Sequence, residues 1–304
     1  MIRLGLIDLC TSHCEAWFPI LQEMEGVEVT AVADTGGCRP SAFVKEYAEK
    51  YGIPNVCANA EEVAEITDAG IVWSANWDFH LPHARPYLER GKPVFMDKPA
   101  VGNLRELSEL LLLQARHGAM VMTGSSTRYA YEIQELRARQ EEIGEAVTVW
   151  AQGPGDFFNY GIHTVEMFQG YLGGGALFVR HCGQRGGTDV FLCQYQDGPA
   201  VFFQLGSPHH TWLLTVNSAS GVFSTTIDSS RMYRALIEKF VEAIKTGEPP
   251  WPLPVQLEAI KVALAAKMAR RDGGDIYLAD VPEAEYFDAG PFWAEYARMR
   301  QCGK

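Results

Sequence analysis

Polar residues with catalytic potential follow two apolar segments in the first third of the chain. The run 71–75 precedes Asn76, and the run 93–96 precedes the tripeptide Asp97-Lys98-Pro99. A helical segment lies between the runs, and strand–helix–strand units of this length form parallel pairs. Ligands bind beyond the carboxyl ends of such strands. The sequence therefore predicts that Lys98 lies at a ligand-binding edge, where its ammonium group can stabilise a developing alkoxide.

Strands and helices alternate through the first part of the chain. The predicted strands are 2–7, 27–33, 55–58, 71–75, 93–96 and 119–123, and the predicted helices are 14–24, 40–51, 61–67, 81–90 and 103–117. This alternation predicts a doubly wound parallel sheet of the Rossmann type. We assign it to a first domain, residues 1–120.

The pattern changes after Gly124. Short alternating strands are predicted at 147–152, 176–182, 190–196, 201–205, 212–216 and 222–227, and helices at 130–142, 232–246 and 255–271. Tight turns between the strands favour antiparallel hairpins. We therefore predict a second domain, residues 121–304, with α+β architecture and an open, mostly antiparallel sheet.

The motifs around the apolar runs 71–75 and 93–96 resemble those of a known family, the glucose–fructose oxidoreductase and inositol dehydrogenase family (Gfo/Idh/MocA). Its members carry Thr-Pro-Asn and a histidine, then Gly-Lys, then Glu-Lys-Pro. The corresponding residues here are Ser74-Ala75-Asn76, His80, Gly91-Lys92 and Asp97-Lys98-Pro99, with one extra residue before His80. The resemblance extends over nearly the whole chain, and it is to a branch with a degenerate Thr-Ser-His first turn.

The resemblance implies an NAD(P)-dependent oxidoreductase that transfers a hydride between nicotinamide and a sugar, inositol or related polyol. Lys98 would stabilise the alkoxide and Asp97 would orient it. The family's proton-transfer histidine corresponds to His163, within a motif whose first acid is replaced by Asn159. The resemblance also implies that Arg128, Tyr129 and Asn159 contact the substrate, and Asp156 is a further polar candidate for this role in the second domain. We expect Lys98 and His163 to meet at the reacting carbinol.

The turn after the first strand departs from the dinucleotide-binding pattern. It reads Asp8-Leu9-Cys10-Thr11-Ser12-His13 and lacks the three glycines of GxGxxG. A carboxylate at Asp8 that faced a phosphate ~5 Å away would repel it by roughly 3 kcal/mol. Thr11, Ser12 and His13 precede a helix, so they are predicted either to bind an anion at its N-terminus or simply to cap it.

The second strand ends at Asp34, where an acid can accept hydrogen bonds from both ribose hydroxyls of NAD. Gly36 and Gly37 would leave room for an adenosine. We therefore favour NAD as the cofactor, and Arg39 leaves NADP as an alternative. Asn76, His80 and Lys98 complete the predicted cofactor-binding set, together with Thr11, Ser12 and His13.

Composition limits which kinds of binding partner and which cellular compartment are expected for this chain. A net charge of −12 disfavours nucleic acid, and no apolar run approaches the ~20 residues of a membrane span. The first residues are predicted to form a strand rather than a signal peptide. Seven cysteines without a CxxC pair favour reduced thiols in the cytoplasm. We expect no metal site and a homodimer or homotetramer.

Three functions stay open on the sequence. The first is the polyol dehydrogenase, favoured by Lys98, His163 and Asp34 together. The second is a non-catalytic or repurposed family member with a binding or regulatory role, favoured by the glycine-less turn and Asn159. The third is an elimination or hydrolysis reaction that proceeds by transient oxidation with tightly held NAD.

Overall fold

The computed structural model describes residues 1–302. Contacts within the chain divide it into two units. The first unit comprises residues 1–123, 237–253 and the carboxyl-terminal segment from Asp288. The second comprises residues 124–236 and 254–287. The predicted second domain contained everything after residue 120. In the structure, residues 237–253 and the segment from Asp288 belong to the first unit, which differs from the predicted boundary. Both segments bury side chains against residues far away in sequence, which local patterns do not report.

The first unit contains a six-stranded parallel sheet with the order β3-β2-β1-β4-β5-β6. The strands are β1 (Ile2–Ile7), β2 (Val27–Ala33), β3 (Asn55–Val56), β4 (Ala69–Val72), β5 (Val94–Met96) and β6 (Val121–Thr123). The helices are α1 (His13–Glu23), α2 (Phe43–Tyr51), α3 (Ala60–Ile66), α4 (His80–Glu89) and α5 (Leu104–His117). The predicted doubly wound sheet is confirmed.

Local sequence signals explain where the helices begin and end. The Asn103 side chain accepts a hydrogen bond from the backbone N–H of Glu106 at the start of α5. Gly118 ends that helix in the left-handed conformation, with φ of 68°. Asn59 caps α3 in the same way as Asn103 caps α5. These are the capping residues that helix termini prefer.

A pair of glycines sets the distance between α4 and the sheet. Gly5 of β1 and Gly70 of β4 lie opposite each other in the parallel register. A Cβ atom on Gly5 would lie 2.3 Å from the Tyr87 hydroxyl, and one on Gly70 would lie 2.5 Å from the Tyr87 ring. Only glycine therefore allows this fully buried ring to lie flat on the two strands, and the ring fixes α4 over the β1–β4 pair.

The second unit contains a seven-stranded sheet with the order β12-β11-β7-β10-β9-β8-β13. Its strands are β7 (Ala146–Pro154), β8 (Ala176–Arg185), β9 (Thr188–Tyr195), β10 (Ala200–Ser207), β11 (Leu213–Ser218), β12 (Gly221–Thr226) and β13 (Asp275–Tyr277). All neighbours are antiparallel except β7 and β10. The predicted mostly antiparallel sheet is confirmed, although β13 was not anticipated.

The remaining helices are α6 (Ser126–Tyr129), α7 (Tyr131–Ala138), α8 (Gln140–Ile143), α9 (Gly161–Leu172), α10 (Met232–Thr246), α11 (Leu253–Asp272) and α12 (Gly290–Cys302). Helix α9 is buried almost throughout and packs on β7 and β10. The segment 130–142, predicted as one helix, forms α7 and α8 with a break at Arg139. Among residues 1–302, no helix combines the length and hydrophobicity that a membrane crossing needs.

Candidate active site

The first turn of the first unit is built from paired charges rather than glycines. Asp8 adopts the left-handed conformation with φ of 64° and is fully buried. Its Oδ1 accepts hydrogen bonds from the N–H of Thr35 at 3.0 Å and from the hydroxyl of Thr35 at 3.1 Å. Its Oδ2 lies 2.7 Å from Nδ1 of His83. The carboxylate thus faces the loop after β2 and the helix α4.

This orientation corrects the expectation that Asp8 would repel a phosphate at the first turn. The predicted repulsion assumed an exposed and unpaired carboxylate. In the structure both oxygens are bonded within the protein, and no part of the side chain is exposed.

The Thr-Ser-His segment does not cap α1 in the usual way. Ser12 occupies the N-cap position, and its side chain makes no capping hydrogen bond. Thr11 Oγ1 instead accepts a hydrogen bond from the N–H of His13 at 3.3 Å. His13 turns its ring toward the end of β5, where its Nδ1 lies 2.6 Å from Oδ2 of Asp97. Its ring also stacks on Trp17, with centroids 4.8 Å apart.

Asp97 links the first turn to Lys98. The carboxylate is almost fully buried; its Oδ1 accepts a hydrogen bond from the N–H of Lys98 at 2.7 Å. Burial opposes ionisation most strongly, but the charges of His13 and Lys98 and the hydrogen bond from His13 outweigh it and hold the pKa of Asp97 below its usual value. Asp97 is therefore an anion beside the ammonium-bearing residue, as its predicted orienting role requires.

Asn76 and His80 hold backbone segments at the same edge of the sheet. The Asn76 side chain accepts a hydrogen bond from the N–H of Asp78 at 2.9 Å. The His80 ring is fully buried, with Nδ1 2.8 Å from the Pro99 carbonyl oxygen and Nε2 2.9 Å from that of Ser74. His80 thus joins the loop after β4 to the segment that follows Lys98.

Asp34 lies at the end of β2, where the sequence placed it. Its Oδ1 accepts a hydrogen bond from the N–H of Leu9 at 3.2 Å, and burial followed by the nearby Asp8 raises its pKa. Arg39 donates from Nε to the Leu9 carbonyl oxygen at 2.9 Å, and its side chain is only 8% exposed. Both residues brace the first turn, and Asp34 keeps its partly exposed position at the strand end.

A dinucleotide would need this edge to be open, and in the structure it is covered. The donors and acceptors fit such a ligand, because Asp34 and the N-terminus of α1 lie where ribose and pyrophosphate bind in Rossmann folds. Side chains of α12 cover part of this edge, where they bury Cys10, Cys38 and Ala75 at the ends of β1, β2 and β4.

In the second unit, a row of hydroxyls fixes the His163 ring. Its Nδ1 is hydrogen-bonded to Ser125 Oγ. Thr127 Oγ1 donates to the backbone carbonyl oxygen of His163 at 2.7 Å, and it also lies 2.7 Å from Ser125 Oγ. A carbonyl oxygen can only accept, so the single hydroxyl proton of Thr127 is used there.

Counting protons along this row assigns the tautomer of His163. The Ser125 hydroxyl must donate to Thr127 Oγ1, whose own proton is already engaged. Ser125 Oγ is then the acceptor for His163 Nδ1–H. The lone pair of the neutral ring therefore lies on Nε2, which suits a general base. Neither hydroxyl was identified from the sequence, although the run Ser125-Ser126-Thr127 directly after a strand was a usable signal.

A buried ion pair supports the segment that carries Ser125. Glu166 Oε2 accepts hydrogen bonds from the N–H of Ser125 at 2.7 Å and from Nε of Arg128 at 2.9 Å. Arg128 also donates to Gln169 Oε1 at 3.1 Å, and the Arg128 and Tyr129 side chains are buried. Both were predicted to bind substrate. That role stays a prediction, and in the structure Arg128 secures α6 to α9.

The other predicted substrate residues lie just before α9. Asp156 is exposed, and its Oδ1 accepts hydrogen bonds from the N–H of Phe158 at 3.0 Å and from that of Tyr160 at 3.4 Å. Asn159 is 7% exposed. Asp156 thus shapes the turn that leads to His163. Among residues 1–302, no three His, Cys, Asp or Glu side chains converge as a metal site.

Comparison with known proteins agrees with this architecture. Residues 6–125 match the model of the Gfo/Idh/MocA family, described as an oxidoreductase family with an NAD-binding Rossmann fold. The amino-terminal region of the chain is therefore similar to that family, in agreement with the resemblance of its motifs.

Individual relatives extend the comparison. A protein of Amycolatopsis mediterranei (strain S699), provisionally named as a UDP-kanosamine synthase oxidoreductase subunit, is 31% identical over 47% of this chain and 38% of its own length. Trans-1,2-dihydrobenzene-1,2-diol dehydrogenase of Danio rerio is 30% identical over 49% of this chain and 43% of its own length. The chain thus spans less than half the length of these relatives.

A solved structure shares the fold over most of the chain. It is the scyllo-inositol dehydrogenase of Lactobacillus casei, solved with bound NAD(H) and scyllo-inositol. It superposes with a TM-score of 0.81 at 15% identity, covering 92% of this chain and 100% of the other. This likeness shows the common fold.

The pairing of Asp97 with His13 predicts a pH-dependent contribution to stability. Because its folded pKa lies below the unfolded value, ionised Asp97 stabilises the fold above the unfolded pKa, and this contribution is lost as the pH falls through the folded pKa. Asp97→Asn should lower the free energy of unfolding by about 1–3 kcal/mol near neutral pH. Urea unfolding should show this difference narrowing below about pH 4. A difference that stays constant on acidification would contradict the ionised pair. The exposed variant Asp280→Asn is the control.

The hydroxyl row predicts one dominant tautomer of His163. Nitrogen NMR of the neutral ring should show a protonated Nδ1 and an unprotonated Nε2. Ser125→Ala removes the acceptor for Nδ1–H and should shift the ring toward a mixture of tautomers, whereas Ser220→Ala, at a hairpin far from α9 in sequence, should leave the spectrum unchanged. An unprotonated Nδ1 in the unmodified protein would refute the proton count.

Proposed function

We propose that the chain is an NAD-dependent dehydrogenase that oxidises a CH–OH group of a sugar, inositol or related polyol. The observation that carries the proposal is the pair of prepared groups: Lys98 beside an ionised Asp97, and His163 with its Nε2 lone pair fixed by Ser125. Lys98 and His163 would supply the two catalytic groups that oxidation of an alcohol requires. One group takes the hydroxyl proton, and the other stabilises the alkoxide.

The residues divide the chemistry between them. His163 Nε2 would accept the proton of the substrate hydroxyl, and Ser125 would stabilise the resulting imidazolium by accepting from Nδ1–H. The Lys98 ammonium would bind the developing alkoxide while Asp97 holds its backbone. Bound NAD would supply the hydride acceptor. Asp34 would hold its adenosine ribose, with the N-terminus of α1 at the pyrophosphate.

The surroundings of Asp34 and Arg39 favour NAD over NADP. A carboxylate at the end of β2 repels a 2′-phosphate. Arg39, which could have compensated, is largely buried and bonded to the Leu9 carbonyl oxygen. The six described cysteines that form no disulfide support a reducing, cytoplasmic location.

A non-catalytic or repurposed member is the second candidate function. Two observations favour it: the first turn lacks glycine, and α12 covers the edge where the cofactor would bind. Binding of NAD to the purified protein separates the candidates. Turnover of any sugar, inositol or sugar acid with NAD would exclude the second.

Lys98→Ala and His163→Ala should each reduce turnover by about 10²–10⁴-fold, because each removes one positioned catalytic group. Circular dichroism should show that both variants are folded, and NAD affinity should change little in His163→Ala. Lys50→Ala and His210→Ala, both at exposed positions, are the matched controls. Steady-state assays on a substrate found by screening give the rates. Near-normal turnover in both active-site variants would reject the assignment.

We also propose a homodimer or homotetramer that pairs the outer face of the seven-stranded sheet. Phe191, Val201 and Phe203 are buried on one face, whereas Leu192 and Phe202 on the other remain partly exposed. Phe202→Glu should therefore lower the sedimentation coefficient of the assembly, whereas Val147→Glu, at a position already 60% exposed, should not. A monomeric unmodified protein at micromolar concentration would contradict the proposal.

A further inference from the structure

Helix α12 lies across the edge of the parallel sheet that a dinucleotide would use. Cys10 follows β1, Cys38 belongs to the loop after β2, and Ala75 follows β4; all three are buried in one cluster with Ala297 of α12. Strand β1 lies between β2 and β4, so these three loops surround the point where the strand order reverses. Rossmann folds bind dinucleotides at this point.

Trp293 occupies the space that the sequence assigned to an adenosine. Its indole Nε1 donates a hydrogen bond to the Gly36 carbonyl oxygen at 2.8 Å. A Cβ atom on Gly37 would lie 3.5 Å from the Trp293 ring. Gln301, about two helical turns further along, donates to the Gly37 carbonyl oxygen at 3.2 Å. Gly36 and Gly37, which were expected to leave room for the adenine ring, are therefore contacted by the Trp293 indole.

The same helix also reaches the loop after β4. The Phe292 ring stacks on Trp77, with centroids 5.8 Å apart and planes 27° from parallel. Helix α12 thus contacts the ends of β1, β2 and β4 at once. A dinucleotide cannot bind beside Cys10 and Gly36 while these side chains are in place, because Cys10 and Cys38 are wholly inaccessible.

We propose that α12 is an autoinhibitory cap: it closes the dinucleotide site, and NAD binds only when the helix is displaced. This inference rests on the proposed NAD-dependent function, and it adds a regulation of the same site. It also gives the glycine-less first turn a role, since Cys10 serves as a contact for the cap.

The contacts that hold α12 are few enough to be broken. Within its described residues only Ala297 is buried, while Phe292, Trp293 and Tyr296 remain partly exposed. Its ion pair, Arg300 with Glu15, spans 3.5 Å between side chains that are 23% and 41% exposed. Exposed pairs of this kind stabilise weakly. Segments held by few buried contacts open at a lower free energy than the core does.

A closed cap lowers the apparent affinity for NAD by the fraction of molecules that are open. If about 1% of molecules are open, the apparent dissociation constant is about 100-fold weaker than the intrinsic one. A variant that weakens the packing of α12, but leaves the residues proposed to bind NAD unchanged, should recover much of this 100-fold loss of apparent NAD affinity. Trp293→Ala removes the indole and its hydrogen bond, and Ala297→Glu places a charge among Cys10, Cys38 and Ala75.

The experiment measures NAD affinity by calorimetry in the full-length protein and in the variants Trp293→Ala, Ala297→Glu and Glu295→Ala. Glu295 is an exposed residue of α12 and serves as the control. We expect the first two variants to bind NAD about 10–100-fold more tightly than the unmodified protein, and the control to bind equally. Circular dichroism confirms that the variants are folded. Amide hydrogen exchange in residues 290–301 of the unmodified protein should increase when NAD is added.

The possible outcomes are distinguishable. Tighter binding by the two cap variants, together with faster exchange in α12, supports the cap. Equal NAD affinity in all four proteins, or binding without a change in exchange, overturns the cap but leaves the proposed function intact. Failure of every variant to bind NAD, although α12 of Ala297→Glu exchanges freely, overturns both the cap and the dinucleotide-dependent function.

Discussion

The pairing of β1 with β4 is the constraint on which the first unit depends. Gly5 and Gly70 face each other across this pair and admit the Tyr87 ring, so α4 lies close to the sheet. That position brings His83 of α4 within 2.7 Å of Asp8 and places His80 between the loops after β4 and β5. A side chain in place of either glycine would push α4 away from the sheet and separate these contacts.

The first turn shows how a Rossmann edge can be rebuilt without its glycines. A conventional turn presents backbone N–H groups to a phosphate. Here Asp8 takes the left-handed conformation that glycine usually supplies, and its carboxylate accepts hydrogen bonds from Thr35 and lies 2.7 Å from Nδ1 of His83. His13 turns away to pair with Asp97. The resulting network connects the ends of β1, β2 and β5.

The second unit prepares its histidine by a different device. Glu166 lies so close to Gly124 that a Cβ atom there would come within 2.2 Å of its carboxylate. Through the Ser125 N–H, that carboxylate fixes the segment whose hydroxyls select the His163 tautomer. Arg128, buried beside the same carboxylate, balances its charge. The family motif that suggested a catalytic histidine thus marks a residue with a structural basis for acting as a base.

The sequence by itself determined the features that depend on local pattern. Apolar runs located the strands of both sheets except β13, Asn103 and Gly118 defined the ends of α5, and the motif around Lys98 indicated the resemblance that the family model shares over residues 6–125. These signals lie within a few residues of the feature they predict. The doubly wound parallel arrangement followed as well, since strands that alternate with helices form parallel pairs.

Only the tertiary structure decided the direction of the Asp8 carboxylate, the role of Ser125 and the position of α12. Each depends on partners distant in the chain: Asp8 on His83, Ser125 on His163, and Gly36 on Trp293, which is 257 residues away. Periodicity and motif spacing report which face of an element is apolar, but not which remote segment covers it. The packing of α12 on the ends of β1, β2 and β4 was therefore invisible in the sequence, because α12 becomes part of the first unit only when the chain folds back onto it.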